Sequence, residues 1–278
     1  MQEVDYVYEV GKNPLLAYTL LHTIDRFQHI PYVTPEILAK FNCEAFKRVE
    51  PQYALTPSRF YRILFLINKS CEKKGLELRL PYYWYKSGPV VHGRDAPRVF
   101  SVTRIATTQQ VVASFDKWKD TVLIFDGYES SFSDAILLTL EVEKLARFTR
   151  LDVIFEYSPS KLHKVLVTMM SELQNVTKKE VFDEKDTDTM IKWLESVVSE
   201  SKNTYSELSS SFAQAAELIQ TELAARSKTR DVWRVIQDMW RVFSLGLRAK
   251  ENANINKKQV LVWEKKYALA LSAFELQL

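Results

Sequence analysis

Glycine, cysteine and histidine are scarce in this chain, and each scarcity removes a class of chemistry. Its six glycines stand at 11, 75, 88, 93, 127 and 246, and no two of them form a GxG. Neither a phosphate-binding P-loop nor a dinucleotide fingerprint can be written, because both need glycine where backbone closes on phosphate. Cys43 and Cys71 are too few for a disulfide framework and lack CxxC spacing. They read as reduced, half-buried thiols of a cytoplasmic protein. No apolar run approaches the roughly 18 residues that a membrane-spanning helix needs. The acidic opening Met1-Gln-Glu-Val-Asp-Tyr has no signal-peptide character. A GxSxG elbow is absent, and neither cysteine has a histidine motif beside it.

Proline is missing from one whole region. All nine prolines lie between Pro14 and Pro159, and the following 119 residues hold none and a single glycine. Proline interrupts helices, so this stretch is free to run as long ones. With 46% hydrophobic residues the chain can bury a core and is not disordered over most of its length. The expected fold is mainly α: a helix-turn-helix-like domain with minor β over 1–175, then a long-helix extension over 176–278. The lysine- and acid-rich Thr177–Asp188 segment is the expected connector, and a chain cut after about residue 185 should keep a folded first domain.

Periodicity fills in the elements. Leu16, Leu20, Ile24 and Phe27 share a helical face, and Thr34-Pro35-Glu36 opens a short helix towards Phe46. Thr56-Pro57 opens a stronger one whose stripe is Phe60, Ile63, Leu64, Ile67 and Cys71, stopping at Lys73-Lys74-Gly75. Ser101–Ala106 is weakly strand-like. Between Asp120 and Ser160 two readings stand. Val122–Phe125 and Leu151–Phe155 are buried strands around a helix, or most of the stretch is helical. In the extension, Met190, Ile191, Leu194 and Val197 line one helix. Tyr205, Leu208, Phe212, Ala215, Ile219 and Leu223 form a near-heptad seam. Val232, Ile236, Met239, Phe243 and Leu247 mark a third helix, and Val260, Trp263, Tyr267, Leu271 and Phe274 a fourth.

Catalytic signatures are weak. His22, Asp25 and His29 share a helical face that a metal can reach, but read better as a solvated or capping set beside Pro31. Asp126 and Glu156, with Lys161 nearby, suit a divalent-metal nuclease only if both carboxylates end strands, and the usual acid-x-lysine pair is missing. No catalytic residue, cofactor or metal is therefore assigned. Basic residues do cluster: eleven against four acids between Arg226 and Lys266, a local excess of +7 in a chain of net charge +3. Arg230, Arg234, Arg241, Arg248, Lys257 and Lys258 are the candidates for DNA phosphate contact, against the commoner reading of a solvated helix face.

Arg59–Val91, RFYRILFLINKSCEKKGLELRLPYYWYKSGPVV, carries a resemblance. Ile63-Leu64-Phe65-Leu66, followed by Trp84-Tyr85-Lys86-Ser87-Gly88-Pro89-Val90-Val91, resembles the Panacea family of SocA-like antitoxin and adaptor domains. In that family an apolar helix precedes a WKYGPVV-like turn. Asp152–Pro159 is similar to the helix-then-proline segment of related proteins, which favours the helical reading there. The sequence departs from the pattern at Ser87 and His92. The resemblance covers the first domain only and implies a mostly helical, non-enzymatic protein that binds another protein. The implied setting is a toxin–antitoxin or anti-phage system. The partner would be a toxin, or an effector such as an SMC-like ATPase, of the same operon. DNA binding as an accessory subunit is the alternative, and no membrane role is expected.

Four aromatics in a row at Tyr82-Tyr83-Trp84-Tyr85 exceed what one side of a short segment can bury, so some must meet a second surface. The expected partner-binding residues are Tyr82, Tyr83, Trp84, Tyr85, Lys86, Gly88 and Pro89. Phe212, Ile219, Trp233 and Trp240 join them, as apolar surface that the long helices should be unable to hide among themselves.

Overall fold

The computed structural model describes residues 57–75, 78–92, 148–176 and 179–278, the strands at 100–105 and 108–113, and the helical positions Leu16, Thr19, Leu20 and Thr23. The fold is mainly α with minor β. The chain forms two compact units: residues 1–82 with 89–149, and residues 83–88 with 150–278. The expected short helix from Thr34 to Phe46, and the stretch Val122–Phe125, lie outside the described residues.

In the first unit α1 (Pro57–Lys73) opens on its proline, which is preset for a first helical turn. Its expected stripe of Phe60, Ile63, Leu64, Ile67 and Cys71 is buried, and Phe65, Leu66 and Asn68 are buried with it. A helix sequestered on so many sides sits inside its unit rather than on its surface. It stops where Gly75, at φ +74, and Lys74 return their amides to carbonyls of the last turn. Phe65 meets Tyr82 edge-to-face at 5.1 Å. Here too β3 (Phe100–Ile105) and β4 (Thr108–Ala113) form an antiparallel hairpin, with Phe100 opposite Ala113 and Ile105 opposite Thr108.

Between these elements runs a hairpin of β1 (Tyr82–Tyr85) and β2 (Gly88–Val91), whose tip belongs to the second unit. That unit's helices are α2 (Arg150–Tyr157), α3 (Lys161–Val176), α4 (Glu184–Thr204), α5 (Ser206–Ala224), α6 (Thr229–Lys250) and α7 (Lys257–Glu275). Residue 175 falls at the end of α3, inside this unit. The turn after α6 supplies a two-residue strand, β5 (Asn252–Ala253), which gives a sheet of order β2-β1-β5. The Trp84 amide donates to the Glu251 carbonyl at 2.8 Å in that pairing.

Leu151–Phe155 is helical, within α2, so the strand reading of that segment is corrected. Its apolar run is short because only one side of a two-turn helix, Val153 and Ile154, is buried. The connector is partly helical as well. Asp183 caps α4 by accepting from the Asp186 amide at 2.9 Å, and the Asp186 carboxylate accepts from the Asp183 amide at 3.4 Å. Lys179 bridges both carboxylates at 2.7 and 2.6 Å and holds the Asp183 carboxyl below its usual range. The Leu208-to-Leu223 seam of α5 and the Val232-to-Leu247 stripe of α6 form the core of this unit, and consecutive helices from α3 to α7 pack on each other.

Candidate functional site

The aromatic run at the hairpin tip finds its second surface within its own unit. Tyr83 lies 4.9 Å from Trp263 of α7, ring centre to ring centre, and the Arg248 guanidinium of α6 sits over both, 4.4 Å from Tyr83 and 4.2 Å from Trp263. Arginine suits this place because its planar, weakly hydrated cation can lie against ring faces. Burial lifts the Tyr83 hydroxyl pKa, against the opposing effect of the Arg248 charge. Trp84, buried, stands edge-on to His163 of α3 at 5.9 Å. His163 in turn lies 5.9 Å from both Trp240 and Phe243 of α6, which stack on each other at 6.0 Å. Gly88 closes the tip at φ +105, a conformation that L side chains rarely adopt, so glycine is required there by its backbone.

His163 is fully buried. Its Nδ1 lies 2.9 Å from the Ser158 hydroxyl, while its Nε2 is buried and has no hydrogen-bond partner. Burial pushes the imidazole pKa down to about 4, helped by the charge of Arg150, while the Lys86 backbone acts the other way. A neutral ring therefore fills the centre of an aromatic cluster.

A second polar cluster joins α5, α6 and α7. The Glu207 carboxylate accepts from Lys250 and from the Tyr267 hydroxyl, the latter at 3.0 Å. The Lys250 ammonium lies 5.1 Å from the Tyr205 ring and 6.0 Å from that of Tyr267. Tyr205, the residue between α4 and α5, packs edge-on to Phe243 at 5.3 Å with its hydroxyl buried and unpaired. Both tyrosine hydroxyls titrate far above their usual range, chiefly through burial. These groups tie α5, α6 and α7 together, with Lys250 at the exposed edge of the cluster.

Several expected sites move accordingly. Phe212 and Ile219, expected as partner contacts, have no exposed surface and lie in the core of the helical unit. The seam closes because α4, α6 and α7 cover it from three sides. Trp240 is buried and Trp233 half-buried. Arg248 is half-buried with its guanidinium over two rings, whereas Arg230, Arg234, Arg241, Lys257 and Lys258 are exposed. Tyr85 is half-buried beside the exposed Lys86, and Gly88 and Pro89 are buried.

Glu156 lies on an exposed side of α2, where it helps burial raise the neighbouring Tyr157 pKa to about 12. Asp126 lies outside the described residues, as do Cys43, His22, Asp25 and His29. Among the described residues no group of three or more His, Cys, Asp or Glu is placed to hold a metal. Cys71 is free and buried, with its thiol pKa pushed up to about 11 by burial, which leaves it unreactive. No helix among the described residues is long and apolar enough to cross a membrane.

The surface that sequence reasoning missed is the outer side of α7. Trp263, Tyr267 and Phe274 face inward, while Leu261, Val262, Leu269 and Leu276 are exposed. The signal was present in the sequence: Val262, Leu269 and Leu276 recur at intervals of seven, a second stripe beside the inward one. Comparison with known protein families, curated proteins and solved structures finds no match to this chain.

Proposed function

We propose that this protein is a non-enzymatic interaction module, an accessory or antitoxin-like subunit of a prokaryotic toxin–antitoxin or anti-phage system, acting in the cytoplasm. The observation that carries the reading is the outward apolar stripe of α7, with Val262 at 44% and Leu269 at 72% exposure, continued by Leu276 at the helix cap at 89%. Isolated exposed apolar residues are ordinary, but large ones recurring every seven residues along one helical face fit a binding face. The resemblance of Arg59–Val91 to Panacea domains supports the same class. The partner is the product of a neighbouring gene, a toxin or an effector ATPase. Co-purification of the tagged full chain from its native operon tests this: a stoichiometric partner encoded next door is expected. Its absence, or Mg²⁺-dependent nucleic-acid cleavage by the purified chain, would overturn the reading.

A DNA-binding accessory role is the second reading, favoured by the exposure of Arg230, Arg234 and Arg241 along α6. Phosphate contacts there predict affinity falling with log salt at roughly −0.9 per phosphate. Charge reversal at the three arginines should weaken binding uniformly across sequences. An electrophoretic shift at about 50 and 200 mM salt decides, since contacts of this kind lose orders of magnitude across that interval. No shift at the lower salt removes this reading.

A further inference from the structure

The outward face of α7 has a rim as well as a stripe. With about 3.6 residues per turn, Val262, Leu269, Ala273 and Leu276 fall on one line along the helix, roughly 130° round the cylinder from Trp263, Tyr267 and Phe274. Exposures of 44%, 72% and 89% at Val262, Leu269 and Leu276, and of 56% at adjoining Leu261, show the line uncovered. Lys258 and Lys265, seven residues apart, share one edge of the line, and Lys266, seven residues before Ala273, stands at its other edge between Val262 and Leu269. All three lysines are exposed, and among the described residues none of them forms an ion pair. The two acids of the helix stand elsewhere: Glu264 lies well round the cylinder, and Glu275 accepts from the Ser211 hydroxyl at 3.0 Å. The charges beside the first half of the apolar line, from Lys258 to Lys266, are therefore of one sign.

We infer that this face docks an amphipathic helix of a protein partner whose own apolar line is flanked by acidic residues. The inference rests on the interaction-module reading and names the partner's chemistry. A line with one large apolar residue every two turns can pack along one helix, and the charges beside it choose the partner in such pairs. A second copy of this chain fits less well. Side by side in parallel it sets lysines against lysines, and in antiparallel it offers only the engaged Glu275 to neutralise them. A lipid surface shares the attraction to lysine, but an interfacial helix buries a broad apolar half, not a single narrow line.

The probe is a synthetic helix of about three heptads with leucine at the core positions and glutamate at the flanking ones. Its twin carries lysine at those flanks. Fluorescence anisotropy with the full chain should show the acidic peptide binding at least tenfold tighter than the basic one. Leu269→Asp should abolish that binding with circular dichroism unchanged, because Leu269 buries little. Lys265→Glu with Lys266→Glu should reverse the preference. Equal binding of the twins, or none, overturns the inference. So does a dimer of the chain by sedimentation that Leu269→Asp dissolves, which would make a second copy the occupant. Phosphatidylserine vesicles displacing the acidic peptide would overturn it likewise, in favour of a membrane. If the operon partner co-purifies equally well with the Leu269→Asp chain, the module reading stands and this assignment falls. If the wild-type chain brings down no partner, the module reading itself falls.

Discussion

Acid should unfold this protein through His163 before its carboxylates account for the loss. The imidazole is fully buried among Trp84, Trp240 and Phe243, with a pKa near 4 against a usual value of about 6.5. Between those values the unfolded chain binds a proton that the folded chain refuses, so stability rises with pH across the interval and falls as the solution is acidified. Above about pH 6.5 both states are neutral there and the effect vanishes. At roughly 1.4 kcal/mol per pH unit, the whole interval amounts to on the order of 3 kcal/mol, a large share of a marginal native stability. The charged Arg150 on α2 adds to the resistance, and the Lys86 backbone relieves part of it. Urea unfolding followed by tryptophan fluorescence at intervals from pH 7.5 to 4 measures the effect. His163→Phe, an aromatic of similar shape in an aromatic cluster, provides the reference without the titration. Wild-type stability should fall relative to the variant's by a few kcal/mol. The difference isolates the histidine, since the carboxylates titrate in both chains. Parallel stability curves for the two proteins, or an imidazole resonance titrating near 6.5, would refute the reasoning.

Other perturbations follow from the same packing. Gly246→Ala gains up to about 1 kcal/mol of helix propensity, but its new Cβ would lie 2.9 Å from the Tyr267 ring, which its bond to Glu207 holds in place. A net loss of about 1–2 kcal/mol is expected in a thermal melt, and a rise in Tm would refute it. Phe212→Ala should cost about 3–5 kcal/mol, whereas Leu269→Ala should change stability by less than about 0.5 kcal/mol. Equal effects in urea unfolding would mean that the exposed and buried stripes are wrongly assigned. Truncation after residue 185 removes most of α4 and all of α5–α7, which strips Trp240 and Phe243 from His163 and the Glu251 carbonyl from the Trp84 amide. We expect an aggregating product rather than the folded first domain that proline placement suggests, and a monodisperse truncated chain would contradict this.

How much of the fold was legible depended on whether the information was local. Stripes that bury one helical face were readable, because a period of 3.6 is written in neighbouring residues. Leu208, Phe212, Ala215, Ile219 and Leu223 are all buried as that period implies. The Asp183 cap was passed over because it lies in a charged run that reads as a linker, although Asp183 and Asp186 have capping-box spacing. Leu151–Phe155 was ambiguous for a plain reason: five apolar-rich residues fit a buried strand and a two-turn helix equally well.

What resisted reading was partnership across sequence distance. Arg248 has the chemistry of a phosphate contact and a position in a basic run, and nothing near it in sequence reveals Tyr83 or Trp263. Once its guanidinium lies over two rings, the same cation that would have joined a basic arm becomes a tie between the hairpin tip and α6. The aromatics at 82–85 show the converse. Their surplus over what a strand can bury was correctly a demand for a second surface, but composition is indifferent to whether that surface comes from this chain or another. Trp84 and Tyr83 meet the demand internally, through His163 and the Arg248 clasp. A binding face must then be sought where the fold leaves apolar surface uncovered, and the stripe of α7 satisfies that condition while the α5 seam does not. Seven-residue spacing alone could not separate those two, because both stripes have it; burial does.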